Sequence, residues 1–220
     1  MSFDQAQSGP AAEWGKRNGM KTVTVMVLVL EAASNSRAAA KLENDIPRVA
    51  AYVRHGPSEP PIQMLARAEA LVSRLFAATG VHIIWHAGVP AAMPRETLIS
   101  IEIIPNTPEA VHRGALAYSQ VFEDAHVTIF WDRLKGTPDA ALRIGLLGHV
   151  LAHEITHVLE GINHHSKEGI MKAHWTRKDI EQMISEPLAF DVEDVRLIRL
   201  GLAARNSAAR RVLPSTYTSH

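Results

Sequence analysis

The chain has 220 residues, 46% of them hydrophobic and 21% charged, which is enough for one sizeable buried core in a globular domain. Lysine plus arginine and aspartate plus glutamate balance at 23 each, so no net field favours nucleic acid or an anionic membrane, and there is neither a basic, aromatic-interleaved stripe nor a glycine-rich phosphate loop. Cysteine is absent, which removes disulfides and cysteine-based zinc sites and leaves histidine, carboxylates and water as metal ligands.

Residues 1–19 are polar and aperiodic and read as a disordered lead-in. Lys16, Arg17 and Lys21 flank the start of a short apolar run, MKTVTVMVLVL, with small residues after it. That is the outline of a secretory signal over 20–38, with Ser36-x-Ala38 as cleavage site and Met20 as an alternative start. The competing reading is a buried strand Thr22–Leu30, because the run is β-branched and Glu31 follows it directly. The expectation is a lead-in with signal over 1–40, a single domain over 41–220, and a secreted or periplasmic location, with a cytoplasmic one the alternative. Nothing else approaches the roughly 20 apolar residues of a membrane span.

RVAAYV (48–53) reads as a short strand, closed by the breaker-rich HGPSEPP. Pro61 opens an amphipathic helix in which Leu65, Ala68, Leu71, Val72, Leu75 and Phe76 recur at three- and four-residue intervals, and Gly80 stops it. VHIIW (81–85) and TLISIEII (97–104) read as strands, and 105–120, without periodicity, as a surface loop. HVTIFWDRL (126–134) reads as another strand. A long helix follows, with Thr137 as cap, Pro138 in the first turn, Leu142, Leu146 and Val150 on the core face, and Gly161 as its end. Two shorter helices start at Thr176 and Asp191, each with an aspartate three residues on, Asp179 and Asp194, to complete a capping box. The order predicts an α+β domain with one mixed β-sheet, an N-terminal helix, a long central helix and C-terminal helices.

Histidine is the outlier. Six of the twelve lie between His149 and His174. Within HEITH, His153 and His157 are four residues apart, so on the long helix their rings share one face, one turn apart, and can bind a single tetrahedral zinc. Glu154 is rotated about 100° around the helix, placed to reach a zinc-bound water while staying off the metal itself. Two ligands and a general base from one rigid element give His-Glu-x-x-His its chemical content. His149 lies on the same face but no glutamate follows it, so it reads as a core residue or a support for a ligand. Glu160, three residues after His157, reads as solvated at a helix end, with an approach to the metal region the alternative; Trp175 reads as packing, with a pocket wall formed with His174 the alternative.

HEITHVLEGINHHSKEGIM resembles the zincin metallopeptidases and, within them, the metzincins, whose pattern H-E-x-x-H-x-x-G-x-x-H precedes a methionine turn. It is similar to a group of uncharacterised bacterial proteins with H-E-I-G-H-L-L-L-G followed by H-S-x-x-G-I-M. The resemblance implies a zincin-like fold with this helix as the active-site helix, zinc as the one catalytic ion, and hydrolysis of peptide or protein substrates. It implies His153, His157 and His165 as ligands, Glu154 as the base and Met171 as an apolar floor. His164 is the alternative third ligand, because Gly161 falls one residue, and His165 two residues, later than in the metzincin pattern. Ala173 stands where some metzincins carry a tyrosine, so the oxyanion stabiliser is unassigned. The resemblance also implies that strand Val127–Trp131 serves as the sheet edge along which a peptide aligns.

Two rivals stay open on the sequence. A glutamate-zincin type of hydrolase would take its third ligand from Asp179 or Glu181. A non-catalytic, zinc-stabilised binding module would use His164 beside His165 to close the fourth position.

Overall fold

The computed structural model describes residues 46–57, 60–90, 97–121 and 125–212, with side chains through 207. The signal and lead-in over 1–40 lie outside the described residues. The elements run β1 (Arg48–His55), α1 (Ile62–Thr79), β2 (His82–Ala87), β3 (Thr97–Ile104), β4 (Ala117–Gln120), β5 (His126–Phe130), α2 (Trp131–Lys135), α3 (Ala140–Glu160), α4 (Arg177–Ser185) and α5 (Val192–Val212). The strands form one five-stranded sheet in the order β2-β1-β3-β5-β4. Its pairings are parallel except that of β4, which runs antiparallel to β5. The expected α+β class with one mixed sheet is what the chain adopts.

Alternation sets the faces of the sheet. In β3, Ile99, Ile101 and Ile103 are buried while Leu98, Ser100, Glu102 and Ile104 are half-buried, the period-2 signature of one covered face. Register carries that face across the sheet: Val53, Ile101, Val127 and Ser119 form one row, and Ile103, Ile129 and Ala117 lie in the next. Leu65, Ala68, Val72 and Phe76 of α1 and Leu147, Leu151, Ile155 and Val158 of α3 belong to the same core. Each such aliphatic side chain contributes about 2 kcal/mol on burial. On the opposite face Glu102 meets Arg54 at 2.8 Å.

Four local expectations change. The stretch 105–120 is not all loop, because Ala117–Gln120 forms β4, the edge strand. Val127–Trp131 is therefore not the sheet edge; β5 is interior, between β3 and β4, with both of its backbone edges paired. The strand read over 126–134 ends at Phe130, where the backbone turns directly into α2. The cap of α3 is Asp139, which accepts from the Leu142 N–H at 2.6 Å. Thr137 instead offers its carbonyl to the Arg143 guanidinium at 2.9 Å. The capping box at Thr176 and Asp179 forms as read. At α5, Asp191 Oδ1 accepts from the Glu193 N–H at 2.5 Å while Asp194 Oδ2 accepts from the Asp191 N–H at 2.8 Å. No helix among the described residues is long and apolar enough to cross a membrane.

Candidate metal centre

The site grows out of the second half of α3. Leu151, Ile155 and Val158 are fully buried and fix the helix rotation, so His153 and His157 turn to the other side of the same turns, with Glu154 on the flank between the two faces. Gly161 then stops the helix in a left-handed conformation, φ 72°, which releases the chain to fold back over its last turns. The returning loop brings His165 to the other two. One ligand atom from each of His153, His157 and His165 lies within 4.8 Å of the others. The His165 ring stacks on that of His153, 5.4 Å between centroids at 29°, and meets that of His157 nearly at right angles, 5.0 Å apart.

The loop is held from behind. Ser166 N–H donates to the Met171 carbonyl at 2.8 Å, and Ile170 N–H to that of Ala189 at 3.0 Å. Gly169 sits at φ 75°, and a Cβ there would lie 2.2 Å from the Ala189 carbonyl oxygen, so no other residue fits this turn without displacing backbone. Ile170 and Met171, at the end of this turn, are fully buried. The Trp175 indole N–H donates to the Gly169 carbonyl at 3.2 Å, and its ring meets His153 edge-on at 5.7 Å.

The donor set fits a divalent cation. His153 Nδ1 lies 2.9 Å from the Ile170 carbonyl, which places its proton there and leaves Nε2 as a lone pair. That Nε2 is 3.1 Å from Nε2 of His157. If His157 carries its proton on Nδ1, towards the Ile162 backbone that favours it, two lone pairs face each other. If the proton is on Nε2, Nδ1 is a buried atom without a hydrogen-bond partner. Either tautomer leaves one group unsatisfied in the protein alone, and a cation held by these imidazoles would resolve it. Burial, aided by the neighbouring rings, pushes His157 down to about 3 and lowers His153 and His165 as well. All three are thus neutral imidazoles, the ligating form, near pH 7.

Glu154 stands beside them with 9% of its surface exposed. Burial raises its carboxyl to about 7, opposed by a hydrogen bond with the Ser119 side chain. Ser119 comes from β4, in register with Val127 on the helix-covered face. No periodicity in the sequence marks it, so Ser119 is a site residue that the sequence does not reveal. A cleft of about 800 Å³ opens over the whole group, lined by the β4 edge (Ala117–Gln120), by His153, Glu154, His157 and His165, and by the wall His174, Trp175 and Ile180.

The other sequence candidates lie apart. His164 turns away from the cluster, its Nε2 3.5 Å from Asp194 Oδ1. Asp179 is engaged by Lys172 and Thr176, and Glu181 pairs with Arg177 at 2.8 Å on the surface; neither joins the three histidines. His149 is fully buried, its Nδ1 donating to the Gly145 carbonyl at 2.6 Å and its Nε2 accepting from Leu188 N–H at 3.0 Å, a neutral strut between α3 and the chain leading into α5. Glu160 is not solvated at the helix end. It is 8% exposed with neither carboxyl oxygen hydrogen-bonded, and burial beside Asp194 and Glu193 pushes it up to about 8.

No family model and no curated protein sequence matches the chain. Among solved structures, archaemetzincin from Methanopyrus kandleri is similar at a TM-score of 0.50 and 14% identity, covering 72% of this chain and 97% of that one. Myroilysin is similar at a TM-score of 0.31 and 11% identity, over 66% of this chain and 70% of that one. The first likeness establishes a zincin-like fold.

Proposed function

We propose that this chain is a zinc-dependent peptidase, with His153, His157 and His165 as metal ligands and Glu154 as general base. One observation carries the reading: three neutral imidazoles converge beside a buried carboxyl inside one open cleft. Three protein ligands leave a tetrahedral ion one position for exchange, the mark of a catalytic rather than a structural centre. His164 faces Asp194 rather than the cluster, which weighs against a closed four-histidine site.

Zinc held there supplies a Lewis acid for the scissile carbonyl and an acidified water. The chain's own residues do the rest. Glu154, poised at about 7, takes a proton from the attacking water and returns it to the leaving nitrogen as the C–N bond breaks. The Ile170 carbonyl fixes the His153 tautomer, and the Ser119 side chain holds the Glu154 carboxyl towards the cleft. Among the described residues β4 is the edge strand of the sheet, and its outer backbone edge, which lines the cleft, is the rail for an extended substrate. Main-chain pairing of that kind gives affinity with little choice of sequence.

The test pairs elemental analysis with a peptide-cleavage screen. Wild type is expected to carry one zinc and to cleave. Glu154→Gln should keep the zinc and lose roughly 10²- to 10⁴-fold in rate, whereas His153→Ala should lose both. A Glu154→Gln protein with undiminished hydrolysis sinks the mechanism.

A further inference from the structure

The third ligand is the one not carried by a helix, and an unbraced loop histidine would spend much of its time away from the metal. The two residues flanking His165 are both tied to a single side chain. The Ser166 hydroxyl donates to Asp194 Oδ1, and His164 Nε2 lies 3.5 Å from the same oxygen. Asp194 belongs to the first turn of α5 and has no solvent exposure at all. Its other oxygen accepts from the Asp191 N–H at 2.8 Å, so the carboxylate is fixed to the helix end before it reaches the loop. A carboxylate that is completely buried is costly unless its lone pairs are used, and here they are used on either side of one histidine.

We propose that Asp194 is the positioning residue for the third metal ligand: by holding Ser166 and His164 it sets where His165 stands relative to His153 and His157. The inference rests on the three-histidine metal centre. It adds that the centre depends on α5, whose anchoring residue lies 29 positions beyond the ligand it positions. Asp194 does not touch the metal. It acts through the loop, as outer hydrogen-bond partners of metal ligands generally do, and losing such partners typically weakens metal binding by about 10- to 100-fold.

The experiment is a double-mutant cycle on zinc affinity, measured by competition with a chromophoric chelator, in wild type, Asp194→Ala, His165→Ala and the double variant. Asp194→Ala is expected to weaken zinc about 10- to 100-fold in the native background. In the His165→Ala background, where nothing is left to position, the same change should cost less than about 3-fold. Equal losses in the two backgrounds would mean that Asp194 merely supports the fold, and overturn the proposal. So would unchanged affinity in Asp194→Ala. Ser166→Ala covers the case in which Asp194→Ala does not fold, because it leaves the Asp191 N–H bond and the His164 contact and cuts only the hydroxyl link to the loop. It should weaken zinc in the native background alone, and a cobalt-substituted sample should show altered visible bands. Wild type that binds no zinc at all removes the metal centre and this inference together, a result distinct from normal zinc binding that ignores Asp194.

Discussion

Two helical glycines make a controlled comparison. A Cβ built on Gly201 of α5 would lie 1.9 Å from the Leu159 carbonyl oxygen and 3.0 Å from the Glu160 Cα. Both are backbone of α3, two and three residues past His157, and cannot swing aside. An ordinary contact needs about 3.4 Å, so the helices would have to separate by roughly 1.5 Å, and a gap of that order forfeits half or more of the local dispersion contacts. Ile198 and Leu202, buried and flanking Gly201 on the same helix, contribute about 2 kcal/mol each when fully packed. Losing half of that, with added strain at the carbonyl and about 1 kcal/mol regained from helix propensity, leaves Gly201→Ala about 2 kcal/mol less stable. At Gly148 of α3 the closest atom is Leu71 Cδ2 at 2.7 Å, the free end of a side chain that can rotate. There propensity and crowding offset each other, and Gly148→Ala should fall within about 1 kcal/mol of wild type. Thermal melts of the metal-free proteins read the difference, at about 2–4 °C per kcal/mol for a domain of this size. If Gly201→Ala melts with wild type, or if Gly148→Ala is the more damaged of the two, the close crossing of α3 and α5 is wrong.

Other consequences are open to measurement. Glu160 has its folded value raised to about 8, so its contribution to stability is full below the unfolded carboxylate value and is lost as pH rises towards 8. Glu160→Gln should therefore flatten the decline between pH 5 and 8 and be more stable at pH 8 by about 1–2 kcal/mol after screening; urea titrations across that range would contradict this by showing parallel pH profiles. His149→Ala strands the buried Leu188 N–H and opens a cavity, a loss of about 2–4 kcal/mol that a denaturation midpoint will report. Chelation should lower the melting temperature in proportion to the logarithm of free zinc on titration back, the mass-action signature of a ligand bound only by the folded state. An unchanged melt across the titration would speak against a preformed site.

What could be read from the sequence divides along the line between local and non-local determinants. Helix α1 with its six periodic apolar positions, the Gly161 stop and both capping boxes are encoded within a few residues and stand as read. The rings of His153 and His157 lie side by side, a relation fixed by helix geometry alone. The strand Ala117–Gln120 escaped because it is four residues long and is stabilised by pairing with β5 rather than by its own pattern. With it went Ser119 and the identity of the sheet edge. The choice between His164 and His165 depends on a loop whose path is set by Ala189 and Asp194, far along the chain, and spacing counts could not decide it. Glu160 departs from its expected solvation for a related reason, since nothing near a helix end in sequence announces that a later helix will cover it.

The three histidines also differ from the cleft above them in how far the chain must travel to assemble each. The proposed ligands fall within thirteen consecutive residues, joined by one helix and one short loop, so little chain entropy opposes their meeting. The cleft needs a strand, a helix and a wall drawn from His112 to Ile180, contacts of much longer range whose loop-closure entropy is larger. On the proposed reading, a variant damaged only in β4 would still load zinc and yet have nowhere to lay a peptide. On that reading, zinc content would report on the histidine segment together with the Ala189 and Asp194 contacts that brace it, and turnover on the cleft as well.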